Sequence, residues 1–139
     1  MKTLPTLLAA TALLCACALG CSSDSDDHGE SNGIATGSSC PPGSDLTYDS
    51  FGREFMTSYC TQCHSSTLSG AARHDAPLGH DFDTLEGILL VAEHIDENAA
   101  AGPAAINTLM PPSPQPAPSE AERRQLGEWL ACETAGSSD

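Results

Sequence analysis

Hydrophobic and polar positions divide the chain into an apolar leader, a polar stretch and a longer region with helical periodicity. An apolar run covers residues 4–19, and Lys2 is the only charged residue before it. A run of this length is too short to span a bilayer comfortably and is typical of an export signal, which we predict over residues 1–20. Residues 21–39 are rich in Ser, Asp and Gly, so we predict a disordered linker that buries too little apolar surface to fold.

Two helices are predicted in the first half of the remaining chain. The first spans residues 45–60, with Ser44 or Thr47 as its cap, and aromatic residues recur on it every four positions: Phe51, Phe55 and Tyr59. The second begins at a capping box over residues 83–86 and carries one apolar face, formed by Ile88, Val91, Ala92 and Ile95. His94 lies outside that face, so we expect it to be exposed.

The second half of the chain predicts a loop, a stiff strap and a final helix. Residues 65–81 show little periodicity and read as a loop. Five prolines within residues 111–118 exclude helix and predict an extended strap. A capping box at residues 119–122 opens the last helix, whose buried side is Leu126, Trp129 and Leu130. These elements predict an all-α domain over residues 40–134, followed by a polar tail over residues 135–139.

Cys60, Cys63 and His64 form the most specific motif of the chain. Two cysteines separated by two residues, followed at once by histidine, are the attachment site of a c-type haem. Each thiol adds to one vinyl group of the porphyrin, and the adjacent imidazole becomes an axial ligand of the iron. Helical geometry places positions i and i+4 on one face, so Cys60 and His64 can meet the same macrocycle. The motif therefore predicts one covalently bound haem c.

A redox dithiol and a structural zinc site are the alternatives for this motif. A thioredoxin-like pair follows a strand in a βαβ unit, and no such pattern surrounds it. A zinc site would need further ligands, which His74 and His80 could supply, but a second Cys-x-x-Cys is missing from the sequence. Aromatic residues make up only 4% of the chain, and a buried haem would supply the missing apolar bulk.

The charge of the chain restricts its partners. There are 19 acidic residues against 5 Lys and Arg, for a formal net charge of −14. This excess disfavours nucleic acid and electrostatic docking on anionic lipid. A redox partner with a basic docking surface is the natural complement, and the alternative is that the acidic surface only confers solubility.

The order of these motifs resembles that of class I cytochromes c. The resemblance rests on His64, on Met110 ahead of a proline-rich strap, and on a closing helix with Leu126 and Trp129, and it covers roughly residues 45–132. It implies a cytochrome c-like helical domain wrapped around one haem, which acts as a one-electron carrier and not as an enzyme. The family members that dock through a ring of lysines differ from this chain, in which lysine occurs only at position 2.

The resemblance also implies roles for individual residues. Met110 would be the distal iron ligand, and a soft thioether favours ferrous iron and raises the potential. The backbone carbonyl of Pro77 would accept the Nδ1–H of His64 and fix its ring. The first and last helices would cross, with Gly52 or Gly127 allowing the close approach.

Histidines in the same region leave other functions open. His74, His80 and His94 compete with Met110 as distal ligand, and bis-histidine ligation would give a low-potential cytochrome. A haem-based sensor or ligand-binding module would need an open or labile sixth position. A peroxidase would need a distal acid or base, for which these same histidines are the candidates.

The remaining cysteines predict a lipid anchor and a disulfide. Ala18-Leu19-Gly20-Cys21 resembles the bacterial lipobox, so Cys21 would carry lipid and tether an exported protein facing the periplasm or the outer surface. Lipidation at Cys17, at the end of the rival run Leu14-Cys15-Ala16-Cys17, and plain secretion are the alternatives. Cys40 and Cys132 are left over in an oxidising compartment, where pairing is expected. The family resemblance brings the first and last helices together, which supports one disulfide between these two cysteines.

Overall fold

Four α-helices carry the fold that the computed structural model describes over residues 33–136. Within this range no β-strand is formed, and the only extended pairing is an isolated bridge between Ala101 and Ile106. The predicted all-α class is therefore confirmed. The helices are α1 (Arg53–Tyr59), α2 (Leu85–Leu89), α3 (Ala92–Ala99) and α4 (Glu120–Gly136); a π-helical turn (Tyr48–Gly52) leads directly into α1, and a 3₁₀ turn lies at Gly70–Arg73.

Caps set where the predicted helices begin. Thr47, one of the two predicted caps, accepts the Ser50 amide at 3.0 Å, and the Ser50 hydroxyl accepts the Thr47 amide at 2.9 Å. The predicted capping box of α4 is present, because the Glu122 carboxylate accepts the Ser119 amide at 2.8 Å while Ser119 Oγ accepts the Glu122 amide at 3.3 Å. Each cap satisfies backbone donors that have no partner inside the helix.

Trp129 of α4 lies at the centre of the hydrophobic core and is fully buried. Its ring packs against Phe51 with 6.1 Å between centroids, and its indole nitrogen donates to Glu133 at 2.8 Å. The predicted apolar faces of the middle and last helices are buried around it, as are Phe55 and Met56 of α1. The core therefore joins the segment before the Cys-Cys-His motif to the last helix.

Gly52 permits the crossing of the first and last helices. A Cβ placed on Gly52 would lie 2.3 Å from Cζ2 of Trp129, so only glycine fits. Gly127 serves a different contact, since a Cβ there would lie 2.4 Å from Ser38 Oγ and 2.8 Å from the Ala101 carbonyl oxygen. Of the two predicted positions, Gly52 is the one at which α4 approaches the π-helical turn.

We expect Gly52→Ala to destabilise the fold by about 1–3 kcal/mol, because the new methyl group must displace a fully buried indole. Chemical denaturation monitored by far-UV circular dichroism measures the effect. Gly136→Ala is the matched control, because nothing lies within 4 Å of a Cβ at that position of α4. Equal stability of Gly52→Ala and the wild type would contradict this account of the helix crossing.

Residues 33–39 pack against the helices, so the predicted disordered linker is wrong over this stretch. Thr36 is fully buried; its hydroxyl donates to Asp96 Oδ1 at 2.6 Å and its amide to Asp96 Oδ2 at 2.7 Å. Asn107 donates to the Ile34 carbonyl at 2.7 Å. Composition misled the prediction, because the polar groups of this stretch bind other side chains instead of water. We call residues 33–39 the amino-terminal strap, and the folded domain begins with it instead of at Cys40.

Cys40 and Cys132 join the end of the amino-terminal strap to α4. Their sulfur atoms lie 2.01 Å apart, so the structure pairs them as predicted. The predicted tail over residues 135–139 is wrong at its start, because α4 continues through Gly136. The predicted signal, the lipid site at Cys21 and residues 21–32 of the linker lie outside the described residues. Within residues 33–136, no helix is both long and apolar enough for a membrane span.

Candidate functional site

One apolar cavity of about 360 Å³ opens between the end of α1, the loop after it, α3 and the segment that leads into the proline-rich strap. Its lining includes all five residues predicted to bind the cofactor: Cys60, Cys63, His64, Pro77 and Met110. These residues come from three separate stretches of sequence, and the fold brings them to one place. Apolar side chains complete the walls, among them Phe55, Tyr59, Phe82 and Ile95.

The Cys-Cys-His motif continues the helical path of α1 for one more turn. The amide of Cys63 donates to the Cys60 carbonyl at 3.0 Å, and the amide of His64 donates to the same carbonyl at 2.9 Å. This turn directs both cysteines and the histidine to the cavity. Both cysteines are free thiols in the structure. Burial raises the pKa of the Cys60 thiol to about 12, although the nearby Arg123 guanidinium acts to lower this pKa.

His64 is held as a neutral imidazole with a defined tautomer. Burial lowers its pKa, and the His80 carbonyl acts in the opposite direction. Its Nδ1–H donates to the carbonyl oxygen of His80 at 3.1 Å, and since a carbonyl can only accept, the proton sits on Nδ1 and the lone pair on Nε2. The ring stacks on Phe82 with centroids 4.5 Å apart and an interplanar angle of 7°. Nε2 of His64 therefore carries the lone pair of the ring, which is the form in which an imidazole can ligate a metal.

The predicted role of Pro77 is wrong, because its carbonyl binds another group. It accepts a hydrogen bond from Nη2 of Arg73 at 2.7 Å, and His80 supplies the carbonyl that fixes His64. The loop between His64 and Phe82 is long, so a proline–leucine–glycine turn separates the two carbonyls. Pro77 still lines the cavity.

Arg73 organises this loop and was missed by sequence reasoning. Its buried guanidinium donates to the Ser65 carbonyl and to Asp81 Oδ1, each at 2.7 Å, and reaches the His80 carbonyl at 3.4 Å. It thus fixes the carbonyl that orients His64. The available signal was its isolation, because Arg73 is the only cation within a polar loop of a strongly acidic chain.

Met110 lines the cavity at the start of the proline-rich strap. Its backbone forms hydrogen bonds to two helices. Its amide donates to the Asn98 carbonyl of α3 at 2.9 Å, and its carbonyl accepts Nη1 of Arg123 of α4 at 2.8 Å. Its side chain remains 39% exposed. Met110 and His64 thus line one cavity from segments far apart in sequence.

The three competing histidines also line the cavity. The rings of His80 and His94 lie 5.5 Å apart, and those of His64 and His80 lie 6.4 Å apart. The expectation that His94 is exposed is wrong, since it is half-buried. That expectation assumed one apolar face on the middle helix, whereas α3 packs on the core with one side and borders the cavity with another.

A hydrogen bond closes the edge of the cavity between α1 and α4. The Tyr59 hydroxyl donates to Glu122 Oε1 at 2.8 Å. The Ser119 hydroxyl and amide hold the pKa of Glu122 below its usual range, and Tyr59 adds to this effect. The carboxylate therefore stays ionised as an acceptor for a residue of the cavity wall.

The geometry of the cavity bears on the two alternatives for the Cys-Cys-His motif, a zinc site and a redox dithiol. Among residues 33–136, no group of three His, Cys, Asp or Glu side chains is arranged to hold a metal ion. The βαβ context of a redox dithiol does not occur in the described range. The donor set does fit a haem c, because two thiols, a neutral imidazole and a thioether border one apolar cavity.

Comparisons with protein-family models, with curated proteins and with solved structures find no match to this chain.

Proposed function

We propose that this protein carries single electrons through one covalently attached haem c with His64 and Met110 as axial ligands. The observation that supports the proposal is the convergence of Cys60, Cys63, His64 and Met110 on one apolar cavity. The proposed domain is a cytochrome c-like helical fold. Bound there, haem supplies a one-electron ferric–ferrous couple.

Each of these residues has a separate task. Cys60 and Cys63 form the two thioethers, and His64 offers the lone pair of Nε2 while its Nδ1–H is held by the His80 carbonyl. Met110 offers a soft sulfur, which favours the reduced state. The aromatic and aliphatic walls offer the porphyrin an apolar environment. With both axial positions filled, no site is open for a substrate, so we propose a carrier and not an enzyme.

The proposed surroundings of the carrier follow from charge and from the leader sequence. The chain has 19 acidic residues against 5 Lys and Arg, and this negative charge complements redox partners with basic docking surfaces. Lipid at Cys21 would tether the exported domain to a bacterial membrane, on its periplasmic side or on the outer surface.

The experiment that tests the proposal is expression in a host that attaches haem to exported proteins. The expected product has the mass of the chain plus one haem and titrates reversibly with one electron. An exported, folded protein without a covalent haem would overturn the proposal.

A haem-based sensor or a bis-histidine cytochrome is the second candidate. It is favoured by the partial exposure of Met110 and by the presence of His80 and His94 in the same cavity. Rapid binding of carbon monoxide to the reduced wild-type protein would support a sensor. The absence of the weak red absorption band of iron–thioether bonding would support histidine ligation.

We expect Met110→Ala to retain covalent haem but lose that red band, bind carbon monoxide in the reduced state and have a lower potential, because the soft ligand is removed. Visible spectra and a redox titration measure these changes. Leu109→Ala is the matched control, since Leu109 is the exposed neighbour and does not line the cavity. An unchanged spectrum in Met110→Ala, with a changed one in His80→Ala or His94→Ala, would assign the sixth ligand to histidine.

A further inference from the structure

Arg123 is a buried cation of α4 whose guanidinium binds the carbonyl of Met110 and two further backbone carbonyls. Its side chain is only 3% exposed. Its Nη1 donates to three backbone carbonyls: Ala99 at 2.6 Å, Asn107 at 3.0 Å and Met110 at 2.8 Å. Within residues 33–136 these carbonyls are its hydrogen-bond partners, and no carboxylate forms an ion pair with it.

The three carbonyls mark the end of α3 and both ends of the segment that delivers Met110. Residues 107–110 form no regular secondary structure, so little else than their contacts fixes them. The Met110 amide bond to Asn98 is one such contact, and Asn107 makes others to the carbonyls of Ala100 and Asp96. Arg123 adds a hydrogen bond to the carbonyl at each end of the segment. One side chain of α4 thus links both ends of this segment to the end of α3.

Burying a guanidinium against neutral carbonyls is costly unless its donors are satisfied. Removing it would take this donor from the buried carbonyls of Ala99 and Asn107 and from the partly buried carbonyl of Met110. Burial lowers the pKa of Arg123, but a guanidinium remains protonated at neutral pH. Its neighbour Arg124 is exposed and pairs with Glu120 in the same helix. The two adjacent arginines therefore differ sharply in environment.

We propose that Arg123 is a positioning residue that holds Met110 in place as the sixth ligand by binding the carbonyls of Asn107 and of Met110 itself. This inference rests on the proposed haem function. Arg123 acts through the carbonyls, and the thioether is the group that binds iron. Loss of Arg123 would remove two of the hydrogen bonds that hold this segment, so Met110 would be a more labile ligand, while Cys60, Cys63 and His64 would keep their positions.

The test compares Arg123→Met with Arg124→Met in the haem-loaded protein. The expected result is a weakened or absent red band and a rate of carbon monoxide binding to the reduced protein raised about tenfold or more in Arg123→Met, since one charge-assisted hydrogen bond is worth that much. Arg124→Met is expected to match the wild type. A wild-type band and rate in Arg123→Met would overturn the inference.

Two further variants separate positioning from general destabilisation. Gly52→Ala weakens the fold at the helix crossing. If the effect of Arg123→Met is local, Gly52→Ala is expected to bind carbon monoxide at the wild-type rate. Arg123→Lys keeps the charge on a shorter side chain, so it is expected to lie between the wild type and Arg123→Met. If Arg123→Met does not fold, Arg123→Lys decides: a raised rate supports the inference, and the wild-type rate overturns it.

The failure of this inference can be told from the failure of the proposed function. An exported protein that lacks covalent haem contradicts the function itself. A protein that holds haem and keeps its red band in both Arg123 variants contradicts only the role of Arg123. Hydrogen exchange of the Met110 amide gives an independent readout, since faster exchange in Arg123→Lys than in Arg124→Met is expected and equal exchange counts against the role.

Discussion

Replacing both Cys60 and Cys63 with alanine is expected to abolish covalent haem completely. Each thiol can form one thioether, and no other free cysteine occurs within residues 33–136. Intact-mass spectrometry of the exported protein should therefore show the mass of the chain alone. A haem stain after denaturing electrophoresis should be negative for the same reason.

The controls for this experiment lie in the same turn. Thr61 lies between the two cysteines and does not line the cavity, so Thr61→Ala should keep its haem. Each single cysteine variant should keep at most one thioether. A double variant that still gains the mass of one haem would show that the attachment site lies elsewhere. A wild-type protein that never gains this mass would refute haem attachment altogether.

Replacing Cys40 and Cys132 with serine is expected to lower the free energy of unfolding by about 4–5 kcal/mol. The bridge spans a sequence separation of 92 residues, and the chain-entropy treatment of cross-links gives this magnitude for a loop of that size. Since small domains are stable by only about 5–15 kcal/mol, the loss should be visible as a large fall in the denaturation midpoint.

The measurement is urea denaturation of the wild type and the double variant, each with and without reductant. Reductant should move the wild type towards the variant and leave the variant unchanged. Thioether bonds resist such reductants, so Cys60 and Cys63 do not confuse the comparison when haem is attached. A difference below about 1 kcal/mol between the two proteins would mean that the bridge contributes little to the fold.

Local sequence patterns predicted the first and last helices and their caps. The predicted middle helix is divided into α2 and α3, and Thr84 caps it instead of Asp83, which binds the Ser66 amide. The face of Ile88, Val91, Ala92 and Ile95 is buried as periodicity indicated, and the box at Ser119 opens α4. The gathering of the predicted ligands in one cavity could also be anticipated, because the family resemblance supplied an order of motifs. The helices and caps depend on residues close together in sequence, and the gathering of the ligands follows from the order of motifs in the family that the chain resembles.

Sequence patterns could not predict the polar contacts between residues far apart in sequence. Arg73 and Arg123 bind backbone carbonyls, which every residue possesses, so no partner residue type marks the contact in the sequence. The carbonyl that fixes His64 was assigned to Pro77 and belongs to His80 for the same reason. Thr36 was placed in a linker because its acceptor, Asp96, lies 60 positions further along.

The amino-terminal strap determines where the shortest complete form of the domain begins. A truncated protein that begins at Cys40 would keep the bridge to Cys132 but would deprive Asp96 and Asn107 of the groups they hold. Crystallisation or electrochemistry on a trimmed protein therefore calls for a start at or before Gly33. A cut placed by composition alone would remove a part of the domain.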